Sequence, residues 1–195
     1  MSGRVILVTG TPCVGKTSVA RLLASEFNAL YLNLTELALQ EELVLGRDEE
    51  RDSVIVDQNL MSLKIRRIIE NHSDRDIIVD GHYAVRVVPE ELATQIFVLR
   101  RDPVELRKLM KRSGLSGRKL WENLASEILD VCLCEALDFY EEHKVCELDI
   151  SGKSVEEIVI QIIQVLNGVG ECLVGVVDWL SKLEREGLLE DFMRI

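Results

Sequence analysis

The chain has little of what marks several protein classes. Only 3 Pro and 12 Gly occur among 195 residues, too few for a collagen-like or low-complexity chain. With 47% hydrophobic and 29% charged residues, the composition is that of a folded domain and not of a disordered segment. No apolar run approaches the roughly 20 residues that span a bilayer. The apolar stretch that opens at Arg4 breaks at Gly10, and so reads as a strand and not as a signal peptide. The 5 cysteines (Cys13, Cys132, Cys134, Cys146 and Cys172) are odd in number and form no C-x-x-C pair, so neither a disulfide framework nor a zinc site is expected. Cys132 and Cys134 fall in an apolar helical stretch and read as buried free thiols, a usage that fits a reducing, cytoplasmic compartment, or a nuclear one in a eukaryotic source. Positive charge is scarce as well: 23 Lys plus Arg face 34 Asp plus Glu, for a formal charge of -11. Such a surface repels a phosphate backbone, which argues against broad nucleic-acid binding and suits a basic protein partner better. Any phosphate ligand has to be gripped locally, by backbone dipoles and a few placed cations.

What is present alternates strand and helix, on a length that suits one well-cored domain. Residues 4–9 (RVILVT) form a β-branched apolar run that reads as a buried strand, and Val19, Leu22, Leu23 and Phe27 then recur at helical spacing. Further strands are expected at 29–34, 76–80, 95–99 and 145–150. Asn33 with Glu36, Asp102-Pro103 with Glu105, and Ser154 with Glu157 carry the chemistry of helix starts. A helix is expected over 57–70, and a long one over about 118–140 with Leu124, Ile128, Cys132, Ala136 and Phe139 on one face. Five strands separated by helices imply a doubly wound α/β domain around a five-stranded parallel sheet. After a glycine-containing break at 167–175, Val176, Trp179, Leu180 and Leu183 mark a last amphipathic helix, a C-terminal extension over 167–195 that reads as packing element or partner-binding appendage.

The chemistry is concentrated in Gly10-Thr11-Pro12-Cys13-Val14-Gly15-Lys16-Thr17, which matches G-x-x-x-x-G-K-[ST]. Its glycines let the chain curl so that backbone N–H groups point inward as an anion nest, and the following helix adds its positive end. Lys16 reaches the β- and γ-phosphates, the Thr17 hydroxyl is placed for Mg²⁺, and Ser18 offers a further donor. The motif lies between an expected strand and an expected helix, which a chance match would not arrange. A triphosphate loop needs an acid to organise the metal. Asp80 ends the apolar run Ile77-Ile78-Val79 at the carboxyl edge of a buried strand, the Walker B pattern, with Asp102 as the rival. His82, two residues on, is a candidate for positioning water or phosphate. Arg112 and Arg118 flank the flexible Ser113-Gly114-Leu115-Ser116-Gly117 and suit a lid that neutralises charge during transfer. No NKxD-type guanine-reading tetrapeptide occurs, which disfavours a signalling GTPase.

Taken together, GTPCVGKT, YLNLTELALQEELVLGRDEERDSVIVD, IIVDGHYA, IFVLRRDPVELRKLMKRSG and RKLWENLASEI resemble the adenylate kinase isoenzyme 6 family over residues 4–166. The resemblance implies a P-loop fold of the nucleoside-monophosphate-kinase type with small acceptor-binding and lid insertions. It implies broad-specificity monophosphate kinase and ATPase activities with Mg·ATP as donor. It further implies a part in small-ribosomal-subunit maturation, with transient binding to a basic platform ribosomal protein and to the pre-ribosomal subunit. Carried over by position, residues 1–166 are the kinase domain. Cys13, Gly15, Lys16, Thr17 and Ser18 hold ATP phosphates, Arg112 in a lid over 111–121 contacts ATP, and Lys153 lies by the adenine. Residues 33–56 bind the monophosphate, with Asn33, Glu36, Arg47 and Arg51 as candidate contacts. Lys16, Asp80, His82 and Arg112 carry catalysis, and Thr17 and Asp80 the metal. The chain departs from the family pattern at Cys13, where glycine is common, and at Leu39, where an arginine would grip the acceptor phosphate. Two other readings stand beside this one: an ATP-switched assembly factor whose kinase turnover is incidental, and a small-metabolite kinase on the same fold.

Overall fold

The computed structural model describes residues 3–48 and 53–193. With elements numbered in chain order, its centre is a parallel sheet in the order β2-β5-β1-β6-β7, formed by β1 (Val5–Gly10), β2 (Leu30–Asn33), β5 (Ile77–Asp80), β6 (Gln95–Arg100) and β7 (Val145–Asp149). This is the five-stranded doubly wound sheet expected from the sequence. Successive residues point to opposite faces. Ile6, Val8, Ile78, Phe97 and Leu99 enter one core, while Val5, Leu7, Ile77, Val79, Ile96 and Val98 enter the other. Helices cover both faces, which is why these strands read as unbroken apolar runs.

The first core is closed by α1 (Lys16–Glu26), α5 (Pro103–Arg112), α6 (Gly117–Ile128) and α8 (Val155–Leu166). The second is closed by α2 (Leu34–Gln40), α3 (Gln58–Asn71), α4 (Ala84–Val87) and α7 (Val131–Phe139). Local capping sets where several of these begin. Asn33 accepts from the Glu36 amide, Asp102 accepts from the Val104 and Glu105 amides with Pro103 at the first position, and Ser154 and Glu157 form a reciprocal capping box.

Four features depart from the sequence reading. The helix expected over 118–140 is two helices, because Asp130 takes a left-handed conformation (φ 57°) and its carboxylate sits 2.5 Å from the Arg100 guanidinium. The break resets the helical phase, so Leu133 and Ala136 are buried, Cys134 is exposed and Cys132 half-buried, and Phe139 faces outward. Second, β3 (Val44–Asp48) and β4 (Ser53–Val56) pair antiparallel as a separate hairpin whose tip lies outside the described residues. Third, the C-terminal extension holds two short helices, α9 (Trp179–Arg185) and α10 (Leu189–Phe192), whose Trp179, Leu183 and Phe192 are buried in the first core. Finally, the cysteines do pair: Cys146 and Cys172 form a disulfide across 26 residues, with Cα atoms 4.8 Å apart. No spacing motif announces it, since β7 and the segment after α8 meet only in the folded chain. There the Glu147 amide donates to the Leu173 carbonyl at 2.8 Å, so this segment covers an otherwise bare sheet edge. Among the described residues no helix is long and apolar enough to cross a membrane.

Alkylation under denaturing, non-reducing conditions should therefore modify three cysteines, Cys13, Cys132 and Cys134. Reduction should lower the unfolding free energy, read by urea titration, by about 3 kcal/mol, the scale for closing a loop of this size.

Candidate active site

All five strands end on one side of the sheet, and the candidate residues gather along that edge. β1 stops at Gly10 (φ 136°), where a Cβ would lie 2.5 Å from the Leu99 carbonyl oxygen; only glycine fits. The loop then turns into α1 through Gly15, whose φ of 118° closes the curl and which provides no side-chain cap. The first amides of α1 are thus left for a ligand, at the positive end of an 11-residue helix. Cys13 adopts φ 66°, a region that costs a side-chain-bearing residue about 1–2 kcal/mol and that glycine takes without that cost. The Lys16 ammonium folds back into the loop and donates to the Gly10 and Thr11 carbonyls, each at 2.8 Å. Burial pulls its pKa down, against the attraction of the nearby Cys132 and Asp80 groups.

The Asp80 carboxylate faces this loop. Its Oδ2 accepts from the Thr17 hydroxyl at 2.7 Å, from the Tyr31 hydroxyl at 2.8 Å and from the Asn33 amide at 2.8 Å. Strand register dictates the meeting: Asn33 pairs with Asp80 across β2–β5, and Val8 pairs with Asp80 across β1–β5. A hydroxyl and a carboxylate in contact beside a phosphate loop are the hard oxygen donors that Mg²⁺ takes, the remaining positions being filled by water and phosphate. Among the described residues no cluster of three His, Cys, Asp or Glu side chains is placed to hold a metal. Ser18, beside Thr17, is exposed on the first turn of α1.

Next to Asp80, His82 opens onto a cavity of about 770 Å³. Although solvent reaches the ring, surrounding protein restricts its hydration. That burial, together with the Lys16 and Arg86 cations, depresses the His82 pKa to about 4, so the imidazole is neutral near pH 7. The same group feels Lys16 and Asp80, and also Arg86 and Glu135, and so links the phosphate loop to the cavity. Among the described residues two cations line the cavity, Arg86, paired with Glu135, and Lys119 on α6; the lining also holds the apolar Ala38, Leu39, Val54, Ile55 and Val56 and the polar Thr35, Gln58 and Ser126. Tyr83 also lines it and donates to the Leu34 carbonyl at 3.0 Å, pinning α2 to the connection after β5.

Arg86, Lys119, Tyr83 and Glu135 were not singled out from the sequence, where the sole sign was a cation four residues beyond His82. Other candidates lie apart. Asn33 is turned to Asp80, Glu36 pairs with Arg21 on the outside, and Arg47 sits on β3; none of the three lines the cavity. Arg51 lies outside the described residues. Arg112 is exposed in the last turn of α5. Lys153, in the turn after β7, donates to the Asp149 carbonyl at 2.7 Å and to Gln161 at 3.1 Å.

Sheet order, loop geometry and the acid at β5 define a P-loop protein with a nucleoside-monophosphate-kinase-like fold. Two solved kinases share that fold. Shikimate kinase from Acinetobacter baumannii superposes with a TM-score of 0.62 at 12% identity, covering 85% of this chain and 94% of that one. Thymidylate kinase from Candida albicans gives 0.55 at 13% identity, over 86% and 92%. The family profile described as "AAA domain" matches residues 6–130. In sequence, the chain is 35% identical to a protein of Methanocaldococcus jannaschii over 91% of its own length and 93% of the relative's, and 35% identical to one of Pyrococcus furiosus over 92% and 93%; both are named "Putative adenylate kinase". The chain belongs to the family of these archaeal proteins.

A lowered folded-state pKa means that the charged Lys16 is worse off folded than unfolded. That cost is offset by the Gly10 and Thr11 carbonyls and by Asp80, which Lys16→Met would leave without their cation; the variant should lose the rise in melting temperature expected on adding Mg·ATP.

Proposed function

We propose that the protein is a broad-specificity nucleoside-monophosphate kinase of the adenylate kinase isoenzyme 6 type, with an accompanying ATPase activity, moving the γ-phosphoryl group of ATP onto a monophosphate bound in the 770 Å³ cavity. The observation that carries this reading is the position of His82, two residues past Asp80 at the end of β5 and on the lining of the cavity together with Arg86 and Glu135. A donor phosphate in the loop and an acceptor phosphate in the cavity would meet there.

In this reading residues 1–166 are the kinase domain and 111–121 its lid. Cys13, Gly15, Lys16, Thr17 and Ser18 cradle the ATP phosphates, Lys153 borders the adenine, and Arg112 swings in with the lid. Thr17 and Asp80 would hold Mg²⁺, which supplies charge neutralisation between the β- and γ-oxygens when bound. The attacking oxygen of a monophosphate is already ionised, so no general base is needed, and positioning with charge neutralisation carries the rate. A neutral His82 suits this, because it can hydrogen-bond a phosphate oxygen without drawing a proton from solution. Arg86 takes the part that Leu39 leaves open: a phosphate dianion competes with Glu135 for its guanidinium. The aliphatic part of the lining, Ala38, Leu39, Val54, Ile55 and Val56, would hold a base by area, with Thr35 and Gln58 as polar groups on the same lining; the share held by area supports broad specificity.

The formal charge of -11 favours a second reading, an ATP-driven switch that docks on a basic ribosomal protein. ADP release measured with ATP alone and with saturating AMP, CMP or UMP separates the two. The kinase reading expects a rise of about tenfold or more with at least one monophosphate; an unchanged rate would reject it in favour of the switch. Arg86→Ala should raise the KM for the monophosphate about tenfold or more, the scale of one lost charged hydrogen bond, with the KM for ATP retained. His82→Ala should lower kcat with ATP affinity intact; equal turnover would remove His82 from the site.

A further inference from the structure

Beneath the phosphate loop lies a carboxylate that the reading above does not use. Glu127, near the end of α6, is 1% exposed. Its Oε2 accepts from the Thr11 hydroxyl at 2.5 Å, while Oε1 accepts from Arg100 Nε at 3.0 Å, the Arg101 amide at 3.0 Å and the Trp179 indole N–H at 3.1 Å. A buried charge is tolerated only when so bonded, and here one bond reaches the loop directly, at Thr11, and a second reaches it through Arg101. Thr11 is held twice, its hydroxyl by Glu127 and its carbonyl by the Lys16 ammonium. Arg101, whose amide rests on Glu127, sends its guanidinium to the Val14 carbonyl at 3.1 Å.

The fourth donor comes from the C-terminal extension, and two further bonds seat that segment. The Val176 amide donates to Glu147 at 2.7 Å, and Glu147 shares the Arg100 guanidinium with Glu127. Lys182 pairs with Asp102, the cap of α5. Trp179 is only 6% exposed in this position.

We propose that Glu127 is a positioning residue for the phosphate loop and that the C-terminal extension, through the Trp179 N–H, holds Glu127 in place, so that nucleotide binding and seating of the extension are coupled. The inference rests on the loop as the ATP-phosphate site. When Lys16 turns from the Thr11 carbonyl to a phosphate, Thr11 keeps its place through Glu127, and the load on the Glu127 carboxylate passes to its other donors. Buried, mutually polarising bonds transmit such a change more strongly than exposed ones.

The test uses the full chain labelled with 5-fluorotryptophan, whose two tryptophans give two ¹⁹F signals, the Trp179 signal being assigned with Trp179→Phe. A saturating non-hydrolysable ATP analogue should shift the Trp179 signal, and Thr11→Val should abolish that shift. Trp179→Phe, which keeps an aromatic side chain but removes the N–H that donates to the Glu127 carboxylate, should weaken analogue binding about tenfold, the scale of one hydrogen bond to a charged group. The double variant should weaken it by less than the product of the single effects, although Thr11 and Trp179 share no hydrogen bond. If the tryptophan is merely structural, Trp179→Phe lowers the melting temperature and leaves analogue affinity unchanged, a result that overturns the proposal. An unmoved signal at saturation, or strictly multiplicative effects on binding, would overturn the proposal. Absence of any analogue binding by the unsubstituted chain would overturn the nucleotide reading itself, a separate outcome read from the same titration.

Discussion

Keeping the Lys16 ammonium inside the protein imposes most of the surrounding arrangement. A buried cation needs acceptors and balancing charge, and the curled loop supplies the first as the carbonyls of Gly10 and Thr11. The balance comes from Asp80 at the end of β5 and Glu127 at the end of α6. Glu127 in turn needs a cation, which is Arg100, and Arg100 also engages Glu147 and Asp130. Burial by itself would lower the Arg100 pKa, but Glu127 and Asp130 hold it charged; Glu147, desolvated on β7, is pushed upward by burial. One buried lysine thus propagates a polar network from the loop through β6 to the sheet edge, where the C-terminal extension closes it.

That extension does more than pack. By lying along β7 it covers an edge that would otherwise offer unpaired backbone groups, and its disulfide to Cys146 holds it there. On the other flank of the sheet, β4 and α2 contribute apolar side chains to the cavity that Arg86, Lys119 and His82 also line. The site therefore joins a tight, hydrogen-bonded loop to a wider cavity of mixed apolar and polar lining.

Much of this was legible because it is local. The glycine spacing of residues 10–17, the β-branched runs of the strands and the caps at Asn33, Asp102 and Ser154 act within a few residues, and each appears where its chemistry requires. The misreadings share a different cause. A continuous helix over 118–140 satisfied the apolar spacing, but Asp130 turns left-handed to meet Arg100, thirty positions earlier. Cys146 and Cys172 gave no pattern because proximity, and not spacing, joins them. Arg86 and Lys119 carry no local motif; α4 and α6 place them on one cavity.

The amino-acid sequence by itself determined the parallel α/β architecture and the phosphate loop, since strand burial, helix capping and backbone curl depend on side chains that are near neighbours along the chain. Only the tertiary structure decided what surrounds that loop: the carboxylate beneath it, the cavity beside it and the C-terminal segment behind it. Those depend on strand order and register, which bring distant residues together at one sheet edge, and on the need of each buried charge for a partner that no local pattern specifies.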